Sequence, residues 1–364
     1  MILKTLTDCI EEKAPLSLQE SYDNSGLIIG SFDQEIHKVL VTVDVTEKVM
    51  KEAIKKGCNL VISHHPLIFG SIKKINSKNI TEKLIITAIK NDIAIYAAHT
   101  NLDNISHGVN EMLGKKIGLI NLKILQPKEN LLKKLITFCP IKHVTKVQTA
   151  LFNAGAGHIG NYDCCSYNTS GEGTFRALEN TNPFVGKSHE IHHEKEVKIE
   201  VIFPAYLQSS LIQALIDAHP YEEVAYDIFP LHNFFKQAGA GMTGEFEKAR
   251  TEKEFLTHLK KSLDIKTIRH SPLLNKKIKK VAFCGGSGSF LIKEALATHA
   301  DAFITADLKY NHFFEPEDKL LLADVGHYES EQFTKELIVD VIKKKFPKFA
   351  VLNSEVNTNP VNYY

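Results

Sequence analysis

Short apolar runs that alternate with helical segments set the tightest limit on what this chain can fold into. Lys38–Asp44 (KVLVTVD) is valine-rich and almost unbroken by polar residues, as a strand covered on both faces requires. Thr46 and Glu47 then open a helix carrying Val49, Met50, Ala53 and Ile54 at helical spacing, and Gly57 ends it. Asn59–Ser63 reads as the next strand, Ile80–Lys90 as a helix, and Ile93–Ala98 (IAIYAA) as a third strand. Such alternation predicts a largely parallel sheet flanked by helices. Ligands of that architecture gather beyond the carboxyl ends of the strands.

Those ends carry the polar residues. One strand runs into His64 and His65 and is stopped by Pro66; the next runs into His99-Thr100-Asn101-Leu102-Asp103; a third delivers Asp44. Imidazole is the commonest protein metal ligand. Near the other end of the chain, Asp324-Val325-Gly326-His327-Tyr328-Glu329-Ser330-Glu331 reads as a strand end, a glycine turn and a helix start. His327 and Glu331 are four apart, so a helix puts them on one face. His64, His65, Asp103, His327 and Glu331 are too many for one catalytic zinc that keeps an open position. Adjacent side chains on extended backbone also point apart, which suits two metals side by side. A bridging carboxylate, Asp103 or Glu331, would hold them about 3.5–4 Å apart. Imidazole and carboxylate without thiolate accept zinc, iron or manganese alike.

From about Pro127 the texture changes. Asn130–Phe138 and His143–Ala154 read as helix, Lys198–Phe203 as a strand, Leu207–His219 as a helix and Val224–Phe229 as a strand, a small α+β pattern of ferredoxin-like type. The first pattern then returns, with strands at Lys280–Cys284, Ala302–Thr305 and Lys319–Asp324 and a helix at Ser289–His299. A last helix covers Glu329–Lys345 and a final strand Phe349–Leu352. The expectation is one α/β body built from residues 1–127 and 234–364, interrupted by an inserted α+β domain at 128–233.

The glycine turn Cys284-Gly285-Gly286-Ser287-Gly288-Ser289 lies between a strand and a helix. Free amides there could hold phosphate, which makes Gly286, Ser287 and Gly288 candidates. Gly155–Gly160 (GAGHIG) and Gly239–Gly244 (GAGMTG) match GxGxxG, but neither follows a buried strand. Both read as turns, and no dinucleotide site is expected. His189, His192 and His193 lie in a polar stretch and read as solvated; His219-Pro220-Tyr221-Glu222-Glu223 reads as a turn. The chain has 44 basic and 43 acidic residues, a balance that gives no pull toward nucleic acid or an anionic membrane. No apolar run approaches the roughly 18–20 residues of a membrane span. The N-terminus reads as an amphipathic helix rather than a signal peptide. Six scattered cysteines without a CxxC pair point to reduced thiols and a cytoplasmic location.

SHHPLIF, HTNLD and GHYESE together resemble the Nif-three-like dinuclear metal family, the GTP cyclohydrolase 1 type 2 homologues. YDNSGL, the GGSGS turn and Thr305–Tyr310 (TADLKY) are similar to further segments of that family, and the resemblance spans nearly the whole chain. It implies a homohexamer, a trimer of dimers, with metal sites facing an internal cavity. It also implies that the insert is similar to PII and CutA proteins, with NAGAGHIGNYD and HPYEEVAYDI as its most telling pieces. The metal ligands it implies are the five residues named above. One departure is visible: where the family often has His after Lys-Tyr, this chain has Asn311, with His312 next. The function expected is hydrolysis of GTP or a related nucleotide or phosphorylated small molecule by a metal-bound hydroxide on two divalent ions, zinc or else iron or manganese. Asp44, His99 or Asp307 would move protons. A non-catalytic metal-binding assembly or regulatory protein with a ligand-sensing insert is the alternative.

Overall fold

The computed structural model describes residues Met1–Tyr364. The chain forms two compact units, one of Met1–Pro127 with Gln237–Tyr364 and one of Lys128–Lys236.

The first unit contains two sheets rather than one. The first sheet orders its strands Gly26–Ile29, Ala94–Ala97, Leu60–Ser63, Val39–Thr42 and Val351–Asn353. All neighbours are parallel except the edge pair of Gly26–Ile29 with Ala94–Ala97. Every residue of the three inner strands is buried, which accounts for their unbroken apolar character. Helices Glu47–Lys56 and Ile80–Lys90 cover it, packing Val49, Met50, Ala53, Leu84 and Ala88 against Leu40, Val61 and Ile95. The first of these helices starts where the Thr46 side chain accepts from the Val49 amide, and stops at Gly57 with φ 65°.

The second sheet runs Arg269–His270, Leu321–Asp324, Ala302–Ala306, Lys277–Ser287, Phe235–Thr251 and Ile120–Lys128. Leu321–Asp324, Ala302–Ala306 and Lys277–Ser287 are parallel neighbours. Helix Glu252–Leu263, opened by a capping box of Thr251 and Glu254, buries Phe255 and Leu259 against Ile278, Val281 and Ile304. One expectation fails here. Gly239–Gly244 is not a turn but part of the long strand Phe235–Thr251. Its glycines allow close approach: a Cβ on Gly239 would fall 2.1 Å from the Gln126 carbonyl oxygen on the strand Ile120–Lys128.

The second unit has the order Leu132–Pro140, Val144–Asn153, Ser166–Arg176, Ile191–Pro204, Gln208–Ala218 and Tyr226–Leu231, a β-α-β-β-α-β sequence of elements. The sheet order is Ser166–Arg176, Ile191–Pro204, Leu132–Pro140, Tyr226–Leu231, antiparallel throughout. Its two helices bury Val147, Leu151, Leu211 and Leu215 against Leu135, Ile199 and Val201. Asn130–Phe138, expected as helix, is mostly the strand Leu132–Pro140. The run LLKKLITF fits helical spacing, but that strand pairs on both sides along its length, and ladder bonds on two edges outweigh a weak local preference. No helix in either unit is long and apolar enough to cross a membrane.

Candidate metal centre

Both sheets of the first unit end their parallel strands at one place. Strand Leu60–Ser63 passes directly into His64, which is 0% exposed, and His65. The turn is held by the Ser63 hydroxyl, which donates to the His65 carbonyl at 2.7 Å. Strand Ala94–Ala97 leads to His99 and the short helix Thr100–Asp103. From the second sheet, Leu321–Asp324 turns through Gly326, φ 90°, into the helix His327–Glu331.

The outer nitrogen of each of four histidines is fastened. His64 Nδ1 lies 2.8 Å from the Ala98 carbonyl oxygen, His65 Nδ1 2.8 Å from Asp44 Oδ1, His99 Nδ1 2.7 Å from Asp23 Oδ1, and His327 Nδ1 2.6 Å from Asp307 Oδ2. These oxygens can only accept, so each Nδ1 carries a hydrogen and each Nε2 is the nitrogen turned to the centre, a metal ligand once it gives up any proton of its own. That is how metal-binding imidazoles are oriented. The Nε2 atoms of His65 and His327 stand 3.3 Å apart and 3.0 and 3.1 Å from Glu331 Oε2. His64 Nε2 is buried without a hydrogen-bond partner, 3.6 Å from Asp103 Oδ1 and 3.7 Å from Glu331 Oε2.

The His64 arrangement decides whether a metal fits. An unsatisfied buried polar atom costs about 1–3 kcal/mol. The 3.6 and 3.7 Å gaps are too long for hydrogen bonds. Donors about 2.0–2.2 Å from one ion stand roughly 3.2–3.6 Å apart at tetrahedral angles. The residues therefore fit a divalent cation in two groups, His64 with Asp103 and Glu331, and His65 with His327 and Glu331, and within each the ligand atoms lie within 4.8 Å of one another. Glu331 Oε2 faces the histidines of both groups. His99 joins a third grouping with His64 and His65 and is the one sequence-derived proton carrier close enough to serve as a ligand itself.

The electrostatics follow from this crowding. Burial would lower the pKa of His65, but its bonds to Asp44 and Glu331 raise it to about 10. His327 is likewise raised to about 9, by Glu331 and Asp307 against burial. Glu331 is held well below the usual carboxylate range by the histidines around it, despite burial. Asp103 is raised, by desolvation and by the charge of Glu331, against the pull of His64. Burial and the same two carboxylates push the Cys284 thiol far up, so it forms a neutral wall.

Two sets of residues sit differently from their expected roles. Asp44 and Asp307 stand behind His65 and His327 as the acceptors for their outer nitrogens. Both Asp44 oxygens are engaged, the second by the Thr358 hydroxyl at 2.6 Å, so it is placed to orient rather than to carry protons. Asp307 also accepts from the Ser287 hydroxyl. The phosphate residues are similarly occupied. The Gly286 amide donates to Ser330 Oγ at 2.9 Å, the Ser287 hydroxyl is on Asp307, and Gly288 packs against Thr305 and Cys284. The Gly286 amide and the Ser287 hydroxyl are thus engaged within the protein. The reason for glycine at 286 is steric. Its φ is 62°, and a Cβ there would fall 2.2 Å from Glu331 Oε1. Gly286→Ala is therefore expected to displace the Glu331 carboxylate and to lower metal affinity at least about tenfold, the size of effect seen when ligand support is lost. Equilibrium dialysis of the purified variant checks this.

Sequence reasoning missed Asp23. Its buried carboxylate accepts from His99, from the Thr100 hydroxyl at 2.5 Å and from the Ser25 hydroxyl at 2.8 Å. The signal was present in YDNSGL, whose polar residues precede an apolar strand. These bonds hold its pKa below the ordinary value against burial. A depressed folded pKa contributes stability above the unfolded value of about 3.9 and loses it as pH falls. Asp23→Asn is thus expected to melt lower than the native chain at neutral pH, by a gap that narrows below about pH 4. Thermal melts across that range test it.

The remaining candidates do not converge on the centre. His192 and His193 pair with Glu194 and Glu172 in the second unit, and His189 sits in a turn with φ 63°. Asn311 is exposed, and His312 Nδ1 accepts from the Lys309 amide. A cavity of about 440 Å³ opens onto the centre, with His65, His99, Asp103, His327 and Glu331 in its wall and Tyr22, Phe69 and Phe290 among its other lining residues.

Comparison with known proteins gives the same kinship over the full length. The chain is 38% identical over 368 residues to a GTP cyclohydrolase 1 type 2 homolog of Halalkalibacterium halodurans, covering 99% of this chain and 98% of that one. It is 38% identical over 362 residues to the protein of that name from Bacillus subtilis, covering 97% and 96%. A Bacillus cereus protein related to NIF3 superposes with TM-score 0.88 at 36% identity, over 100% of this chain and 99% of that one. A Staphylococcus aureus structure does so with TM-score 0.79 at 30% identity, over 100% and 99%. The model of the family described as Duf34/NIF3 (NGG1p interacting factor 3) matches residues 1–360, and with relatives this similar along their whole length, the chain belongs to that family.

Proposed function

We propose that this protein is a hydrolase that uses two divalent ions and acts on GTP or a related nucleotide or phosphorylated small molecule. The observation that carries the reading is Glu331 Oε2, which stands 3.0 to 3.7 Å from the Nε2 atoms of His65, His327 and His64. One carboxylate oxygen facing three imidazole nitrogens from two directions is the arrangement a bridging ligand needs. His64 and Asp103 would hold one ion, His65 and His327 the other, and zinc, iron or manganese suits this donor set. Ions so placed would supply water activation near neutral pH and a clamp for developing negative charge.

The chain's own residues do the rest. Asp44 and Asp307 keep the Nδ1 hydrogens of His65 and His327 turned outward. Asp23 does the same for His99, whose other nitrogen is left to take or give a proton at the cavity. Phe69, Phe290 and Tyr22 give the cavity aromatic walls on which a base can stack. The name carried by the relatives supports GTP as the first substrate to try. Assembly as a trimer of dimers is part of the same reading, and light scattering of the loaded protein tests it. The test of the function is turnover of GTP and other nucleoside triphosphates by protein loaded with each of the three metals. Metal-dependent consumption of substrate that His99→Ala reduces is expected. No consumption with any of the metals would exclude the hydrolase reading and leave a metal-binding protein without this chemistry.

A further inference from the structure

A cavity larger than the one at the metal centre lies elsewhere on the chain. It lies wholly within the second unit, has a volume of about 690 Å³, and neither the hydrolase reading nor the family relationship uses it. Its size suits a small organic molecule. Its wall is aromatic. The Phe175 and Phe184 rings are 6.1 and 6.2 Å from that of Tyr221, and Phe138 adds a further ring to the lining.

At the cavity wall sits Glu196, 9% exposed. One of its oxygens accepts from the Tyr221 hydroxyl at 2.8 Å. Lys198, two residues along the same strand face, pairs with Glu200 at 2.6 Å instead, and no ion pair reaches Glu196. A buried carboxylate without a counter-charge is costly, and it is kept where a partner arrives from outside. The lining as a whole is acidic: Glu172, Glu196, Glu222 and Glu223 stand against Arg176 and Lys198. Burial, with the adjacent carboxylate, holds the Tyr221 phenol protonated, so it remains the donor to Glu196. Gly173 lets the carboxylate lie against the strand Ser166–Arg176, since a Cβ there would be 2.3 Å from Glu196 Oε2.

Aromatic faces around a carboxylate are the chemistry that recognises ammonium groups, with the cation within about 6 Å of the ring centroids. We propose that this cavity binds an organic cation, an alkylammonium group held among Phe175, Phe184 and Tyr221 with Glu196 as its counter-charge. The carboxylate supplies the charge that the rings cannot, and the rings exclude small hydrated metal ions, which would have to give up water for carbon.

The test is calorimetric titration of the full metal-loaded chain with choline, with 1,5-diaminopentane and with 3,3-dimethylbutan-1-ol, the uncharged carbon analogue of choline. At least one of the two cations should saturate a single site per chain, and the alcohol should bind at least about tenfold more weakly. Glu196→Gln keeps an acceptor for Tyr221 but removes the charge, and should weaken cation binding about tenfold or more. Phe184 lies on an exposed turn, so Phe184→Ala should leave folding and metal content unchanged and lower affinity severalfold. Failure of both cations to bind, equal binding of the alcohol, or full affinity in Glu196→Gln and Phe184→Ala would each overturn the assignment.

Discussion

Glu331→Gln is expected to empty both ion positions at once. The native chain should hold two equivalents of divalent metal after dialysis, and the variant close to none. The substitution keeps the size of the side chain and removes the only carboxylate that faces His64, His65 and His327 together. Without its charge, the inner nitrogens of His65 and His327 face each other at 3.3 Å with nothing to draw a cation between them. A neutral amide oxygen is a poor replacement, because bringing two dications about 3.5–4 Å apart needs negative charge between them. Elemental analysis with parallel thermal melts decides the matter. A variant that still retains one tightly held equivalent would show that Glu331 serves a single ion and that the bridge lies elsewhere.

His64→Ala and His65→Ala should each cost one ion, and not the same one. His64 approaches Asp103 and Glu331, whereas His65 approaches His327 and Glu331. The two residues are adjacent in the chain, but their imidazole centroids are 4.9 Å apart and the rings tilt by 42°. Loading each variant with cobalt(II) should leave a different half of the native visible spectrum, at about one equivalent apiece. His64→Ala carries an added structural penalty, since its side chain is 0% exposed and truncation of a buried group of that size costs about 2–5 kcal/mol. His65 is only partly buried, and its loss mainly frees Asp44. Loss of all metal in both variants would point to one shared site in place of two.

The contrast between the two units shows where local pattern carries structural information. In the first unit, helix Glu47–Lys56 lies where Thr46 and Gly57 place it, because a cap and a left-handed glycine act within one turn. Helix Ile80–Lys90 is equally legible, with Asn79 capping the Glu82 amide. The strand Leu132–Pro140 was not legible, because the bonds that make it a strand come from Ile191–Pro204 and Tyr226–Leu231, about sixty and ninety residues further along the chain. The strand Phe235–Thr251 was hidden by its glycines, which speak locally for turns but serve contact with a neighbouring backbone.

At the metal centre the same division holds. Which residue types stand at the strand ends was readable from the chain alone. A strand that stops at paired histidines and a helix with His327 and Glu331 four apart are local facts. Their consequences are not. That Glu331 rather than Asp103 faces both groups, that Asp44, Asp307 and Asp23 hold the outer nitrogens, and that Gly286 makes room for Glu331 all depend on where two separate sheets meet. Periodicity reports only what neighbours along the chain share. The distances that turn donors into a binding site are set by the packing of segments more than 220 residues apart, and those exist only in the folded protein.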